Sequence, residues 1–133
     1  MKIQVSTDYA VRILQYLHKH KGNVHTAMNI ADATDITYPF FIKIARKLKE
    51  QGLLVSVQGR NGGYMLGEQA HKVSFYDVFL CIEGELRINS SLKNKKPSKS
   101  DVQDDCAVAE FLQELQDKII AEMSKKTIVE LAG

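Results

Sequence analysis

A mainly α-helical fold carrying one small β-hairpin is what this sequence predicts, on three observations. Apolar residues recur at helical spacing in five separate segments. Two short apolar runs, 53–57 and 64–66, flank a glycine-rich stretch that reads as a hairpin. The chain of 133 residues is 44% hydrophobic, enough to bury one modest core and too much for a disordered chain.

The first helix is expected over 6–21, with Ala10, Ile13, Leu14 and Leu17 on one face. Ser6 or Thr7 suits its cap, Asp8 suits the positive first turn, and Gly22 ends it. A short second helix follows over 26–34, capped by Thr26, with Ile30 facing inward. The third begins near Pro39, because a first-turn N–H has no helical partner to lose. Tyr38, before the proline, is biased away from helical angles. Phe41, Ile44, Ala45 and Leu48 form this helix's buried stripe, Lys43, Arg46, Lys47 and Glu50 fall roughly opposite, and Gly52 stops it. The two strands come next, joined through Gln58, Gly59, Arg60, Asn61, Gly62 and Gly63, with Asn61-Gly62 as the hairpin signal. The fourth helix spans 74–83, with Phe75, Val78, Phe79 and Ile82 on one side.

After residue 84 the composition turns polar, and 85–103 reads as a flexible loop with little to bury. The last helix is expected from about 104 to about 130, within a C-terminal segment 104–133. Its stripe is Val108, Phe111, Leu112, Leu115, Ile119 and Met123. Such a helix is about 40 Å long at 1.5 Å per residue. A domain of 1–84 covers only part of so long a stripe, so the remainder is expected to meet a second copy as a dimerisation helix.

Helix, helix, turn, helix and two-strand hairpin is the winged helix-turn-helix plan. Its third helix fits a major groove about 12 Å wide. Lys43, Arg46 and Lys47 on that helix, and Arg60 and Asn61 on the hairpin tip, are the candidate contacts to double-stranded DNA. Charge agrees: residues 1–72 hold ten Lys/Arg against five Asp/Glu, and 73–133 hold eight against eleven. Other classes find no support. The glycine-rich hairpin lacks the Gly-Lys-Ser/Thr of a phosphate loop. No nucleophile–base pair or cofactor motif argues for an enzyme. No apolar run is long enough for a membrane span or a secretory signal, and two cysteines make no disulfide framework, so a reducing cytoplasm is expected.

Several segments carry a more specific likeness. They are Asp8-Tyr9-Ala10-Val11-Arg12-Ile13-Leu14, Ile30-Ala31-Asp32, the run 41–48, Gln51-Gly52-Leu53-Leu54, the stretch 56–66 ending in Gly62-Gly63-Tyr64-Met65-Leu66, and Asp77-Val78. In order and spacing the chain resembles the Rrf-two (BadM-type) family of winged-helix transcription regulators over about its first 84 residues. That family includes iron–sulfur, nitric-oxide-responsive and cysteine-metabolism regulators. The resemblance implies a bacterial homodimeric transcription factor, usually a repressor on a palindromic operator, with its dimer interface on the long C-terminal helices. By position it puts Thr37, Tyr38, Pro39, Ile42 and Lys43 at the reading end of the recognition helix, and Gln58, Arg60, Asn61 and Gly62 on the wing. Two departures stand out. Gln58 occupies a wing position where arginine is frequent in the family. Pro39, Phe40, Phe41 and Ile42 make the front of the recognition helix apolar, which suits thymine methyl groups better than hydrogen-bonded guanine.

Cluster-binding members of the family carry three cysteines around the loop before the long helix, and here only Cys106 matches. A two-iron cluster needs four protein ligands, so neither a cluster nor any other cofactor is expected. Cys106 is a candidate thiol sensor beside the plainer reading of an inert thiol: a helix N-terminus lowers its pKa, and Asp104 and Asp105 raise it. Cys81 reads as a small buried residue. His18, His20 and His25 read as solvated side chains and not as a metal site, and His71 has no partner in the sequence. Two alternatives stay open: a protein-interaction module using the acidic long helix, and a thiol or iron–sulfur redox-sensing regulator using Cys106.

Overall fold

The computed structural model describes residues 2–88 and 104–132, with side chains from 107 onward in the second stretch. Most of the segment expected as a loop, 89–103, and the Cys106 side chain lie outside the described residues. Among the described residues, six helices and a hairpin appear: α1 (Val5–Lys19), α2 (Ala27–Thr34), α3 (Tyr38–Glu50), β1 (Leu54–Val57), β2 (Gly63–Leu66), a 3-10 turn (Glu68–Lys72), α4 (Phe75–Glu83), α5 (Asp104–Met123) and α6 (Ile128–Leu131). The core gathers the expected stripes: Ala10, Ile13, Leu14 and Leu17 of α1 meet Ile30, Phe41, Ile44, Leu48 and Val78. Helices α1 to α4 thus share one apolar centre, with the hairpin against its edge.

Thr26 caps α2 as the sequence suggests, and α4 opens on a capping box that the sequence reading did not name. The Thr26 hydroxyl accepts the Asn29 N–H at 3.1 Å. Ser74 and Asp77 cap reciprocally, at 3.1 and 2.9 Å. Helix α1 differs. It starts at Val5, and neither Ser6 nor Thr7 caps it. Thr7 is buried, and its hydroxyl donates to the carboxylate of Glu83. The same carboxylate accepts the Gln4 N–H at 3.3 Å from each oxygen. Asp8 stands in the first turn as expected, and a second negative group at the positive end of α1 comes from the last residue of α4. Helix α3 starts at Tyr38, one residue before Pro39, after Thr37 at φ −63° and ψ 147°. The pre-proline clash is only a bias. A first helical bond closes over it, from the Phe41 N–H to the Thr37 carbonyl at 2.8 Å.

The strands pair antiparallel with Leu54 opposite Leu66 and Val57 opposite Gly63. Their connection is a five-residue loop and not a two-residue Asn-Gly turn. A type I′ turn needs positive φ at both central residues, and Asn61 has none. The turn lies instead over residues 59–62, with Gly59 at φ 108° and the Gly62 N–H donating to the Gly59 carbonyl at 3.0 Å. The sheet also gains a rung that periodicity did not show. His25 and Tyr64 exchange both backbone hydrogen bonds, at 3.0 and 2.7 Å. Gly63 permits this approach, since a Cβ there would stand 2.2 Å from the His25 carbonyl oxygen.

The C-terminal segment is not one helix to about residue 130. Helix α5 ends at Met123, giving about 30 Å in place of 40 Å. The chain then turns, and a second capping box of Thr127 and Glu130 opens α6. Ile128 is only 1% exposed, and its N–H donates to the Val73 carbonyl at 3.0 Å. Apolar residue Ile128 finds the core of its own domain, which is why the chain leaves the line of α5.

Candidate nucleic-acid interface

A helix-turn-helix needs a fixed angle between α2 and α3, and the turn between them is anchored at two residues. Asp35 takes the left-handed conformation (φ 57°, ψ 45°) at the end of α2. Ile36 is buried, and its N–H donates to the Ala31 carbonyl at 2.9 Å. Helix α3 then sinks Phe41, Ile44, Ala45 and Leu48 into the core. Helical spacing leaves Pro39, Ile42, Lys43, Arg46, Lys47 and Glu50 along one outward groove.

Two features of that face differ from the sequence reading. The apolar front is narrower than four consecutive apolar residues suggest. Phe41 is fully buried, and Phe40 sets its ring edge-on to Tyr9 at 5.4 Å. Only Pro39 and Ile42 of that run line the groove, with Thr37 and Tyr38 exposed at its head. The basic residues also divide. Lys43 and Arg46 are exposed, and among the described residues neither has an ion-pair partner. Lys47 is half-buried, and its ammonium donates to the Ile82 carbonyl of α4 at 3.1 Å. In return the Cys81 thiol donates to the Lys47 carbonyl at 3.3 Å.

On the wing, Gln58, Arg60 and Asn61 are exposed. Gly62 is committed to the turn itself: it is half-buried, and a Cβ there would lie 2.2 Å from the Val57 carbonyl oxygen. Wing and recognition helix are joined by aromatic rings, Tyr64 of β2 standing edge-on to Phe41 of α3 at 5.5 Å. Arg12 pairs with Asp8 at 2.9 Å and lies over the Tyr9 ring at 5.4 Å.

The histidines make a ring cluster that sequence spacing hid. His20 and His25 both lie against Tyr16, at 4.5 and 5.5 Å, and the His25 Nε2 is 3.1 Å from the His20 carbonyl oxygen. Among the described residues no group of three or more His, Cys, Asp or Glu side chains is placed to hold a metal ion. Cys81 is half-buried. Burial pushes its thiol pKa up, nearby Lys47 partly offsets this, and Glu50 adds to the rise.

The apolar stripe of α5 splits by depth. Leu112, Ile119 and Met123 are half-buried, while Val108, Phe111 and Leu115 are 57%, 61% and 38% exposed. The inner side of α5 also carries buried Gln116, whose Oε1 accepts the Ile88 N–H at 3.2 Å.

A family model described as Rrf2, iron-dependent transcriptional regulator, matches residues 3–133. The chain is 32% identical over 136 residues to YffB of Lactococcus lactis, itself a proposed HTH-type transcriptional regulator, covering 99% of this chain and 87% of that protein. It is 26% identical over 103 residues to the HTH-type transcriptional regulator CymR of Bacillus subtilis, covering 77% and 75% of the two chains. In three dimensions it matches CymR, the global cysteine regulator of B. subtilis, with a TM-score of 0.77 at 22% identity over 99% of this chain and 96% of that one. T. potens IscR matches with a TM-score of 0.71 at 20% identity, over 98% and 85%.

Proposed function

The chain belongs to the Rrf2 family and is a DNA-binding transcriptional regulator, and from that premise we propose that it represses transcription as a homodimer on a palindromic operator. One observation carries the docking mode: α3 presents Lys43 and Arg46 outward while the wing tip presents Arg60 and Asn61. Helix α3 enters the major groove, and the wing reaches the adjacent backbone or minor groove. Thr37, Tyr38, Pro39 and Ile42 lie at the base-reading end of α3, and Gln58 flanks the wing contact. With two apolar residues in the groove, the helix reads thymine methyl groups more than guanine edges.

The dimer reading rests on the exposed rib Val108, Phe111 and Leu115, which α5 leaves uncovered in the single chain. Three large side chains exposed in one row along a helix are costly in water and fit a second copy of the same helix. Two-fold pairing of α5 brings two α3 helices to successive major grooves, which is why the operator is palindromic.

The family description speaks of iron, and the donor set of this chain does not fit a thiolate-held cluster. It has two cysteines, and Cys81 turns its thiol to the Lys47 carbonyl. In the proposed mode the protein works without a resident cluster, in the cytoplasm beside the DNA it controls. Among the described residues no helix is long and apolar enough to cross a membrane.

Selection of sites from random duplex DNA, with affinity followed across salt, tests this reading. The expected result is an enriched palindrome whose log–log salt slope reports about 0.9 per neutralised phosphate. Binding without any enriched site would overturn the operator reading and favour a protein partner.

A further inference from the structure

Three consecutive residues at the end of α4 each bond to another helix. The Cys81 thiol donates to the Lys47 carbonyl, the Ile82 carbonyl accepts from the Lys47 ammonium, and the Glu83 carboxylate holds the start of α1. The first two contacts form a reciprocal pair between α4 and the recognition helix. We propose that Lys47 is a positioning residue, which fixes the recognition helix against α4 and so sets its presentation to DNA, and is not itself a phosphate contact. The inference rests on the DNA-docking mode proposed above.

The physics favours the ammonium where it is. The last carbonyls of a helix lack internal partners and carry the negative end of its dipole, so a cation there is well placed. Lys47 lies on the flank of the outward groove, half-buried, whereas Lys43 and Arg46 stand exposed on the same groove. To reach a phosphate, Lys47 would have to release the Ile82 carbonyl at a part-buried seam. Its own backbone carbonyl is also held by Cys81, so the helix is gripped at this residue from both sides. Of the three basic residues that line the outward groove, two therefore face DNA, and the third orients them.

Salt dependence separates the two roles, because a positioning residue changes affinity without changing the number of phosphates neutralised. In the full-length protein on its selected site, Lys47→Met is expected to weaken binding about tenfold, the worth of one charge-assisted hydrogen bond, with an unchanged salt slope. Lys47→Arg, which keeps a cation, is expected to recover most of the loss. Lys43→Met is expected to lower the slope by about 0.9 per protomer. A Lys47→Met slope that falls as far as that of Lys43→Met, or an affinity that does not change at all, overturns the proposal.

Lysine acetylation of the wild-type protein, read by mass spectrometry, gives a second test that does not depend on a folded variant. Lys47 is expected to be slower to react than Lys43 in the free protein, and DNA is expected to shield Lys43 further while leaving Lys47 unchanged. Equal reactivity in the free protein, or equal shielding by DNA, overturns the positioning role. The free-protein comparison still reads if no DNA site is found, so failure of the docking mode and failure of this inference are separable.

Discussion

The rings of Phe41 and Tyr64 meet edge-on, with centroids 5.5 Å apart and planes 83° apart. Phe41 is the buried centre of the recognition helix, and Tyr64 lies on β2 of the wing. One aromatic contact thus ties together the two elements proposed to face DNA. Tyr64→Ala is expected to cost about 2 kcal/mol from lost burial and ring contact and to weaken protection of the DNA by the wing more than by α3. Tyr64→Phe is expected to retain both. Thermal unfolding and hydroxyl-radical footprinting measure the two effects, and a uniform loss of footprint would count against the linkage.

Arg60 is exposed at the wing tip. Arg60→Ala should weaken operator binding by about tenfold, within the range of a lost groove contact, while its unfolding midpoint stays close to wild type. Unchanged affinity in a fluorescence-anisotropy titration would remove the wing from the interface.

Leu115 and Phe111 stand on the outer side of α5. Leu115→Asp places a charge in the proposed seam between protomers. Sedimentation should show a monomer whose circular dichroism spectrum matches the parent. A dimer of unchanged strength would move the seam elsewhere.

Ile128 belongs to the core of its own domain and lies beyond the end of α5. Ile128→Ala should therefore cost about 2–4 kcal/mol of stability, as core truncations do. Chemical denaturation measures this, and a loss below about 0.5 kcal/mol would place Ile128 on the surface.

Cys81 holds its proton more tightly in the folded protein than an ordinary thiol, chiefly because it is buried. The sign follows: its contribution to stability is present at neutral pH and is lost as pH rises into the alkaline range, where the unfolded chain ionises first. At neutral pH Cys81 should alkylate more slowly than free cysteine. Peptide mapping after iodoacetamide treatment separates its product from that of Cys106, and a fast-reacting Cys81 would contradict the seam geometry.

Which residues face outward at the candidate interface was largely legible, because helical geometry is local. The spacing of Phe41, Ile44, Ala45 and Leu48 alone turns Pro39, Ile42, Lys43 and Arg46 outward, whatever the helix packs on. The caps at Thr26 and Ser74 work across three residues and could be read directly. The box of Thr127 and Glu130 was equally readable, but the apolar repeat of α5 carried the expected helix past it. The glycine-rich wing was visible too, though not its turn type, because Asn61 does not adopt the positive φ that its pairing with Gly62 suggests.

Other contacts join residues far apart in the chain, and no local pattern encodes them. Glu83 caps a helix 79 residues away. Lys47 bonds 35 residues on, which turns a residue with the look of a DNA contact into one that grips its own fold. The His25–Tyr64 rung and the docking of Ile128 beside Val73 arise the same way. Spacing along a helix decides which way a side chain points, since the backbone repeat is invariant. What that side chain meets depends on how the helices pack, and only the shared core settles which buried polar groups must find one another.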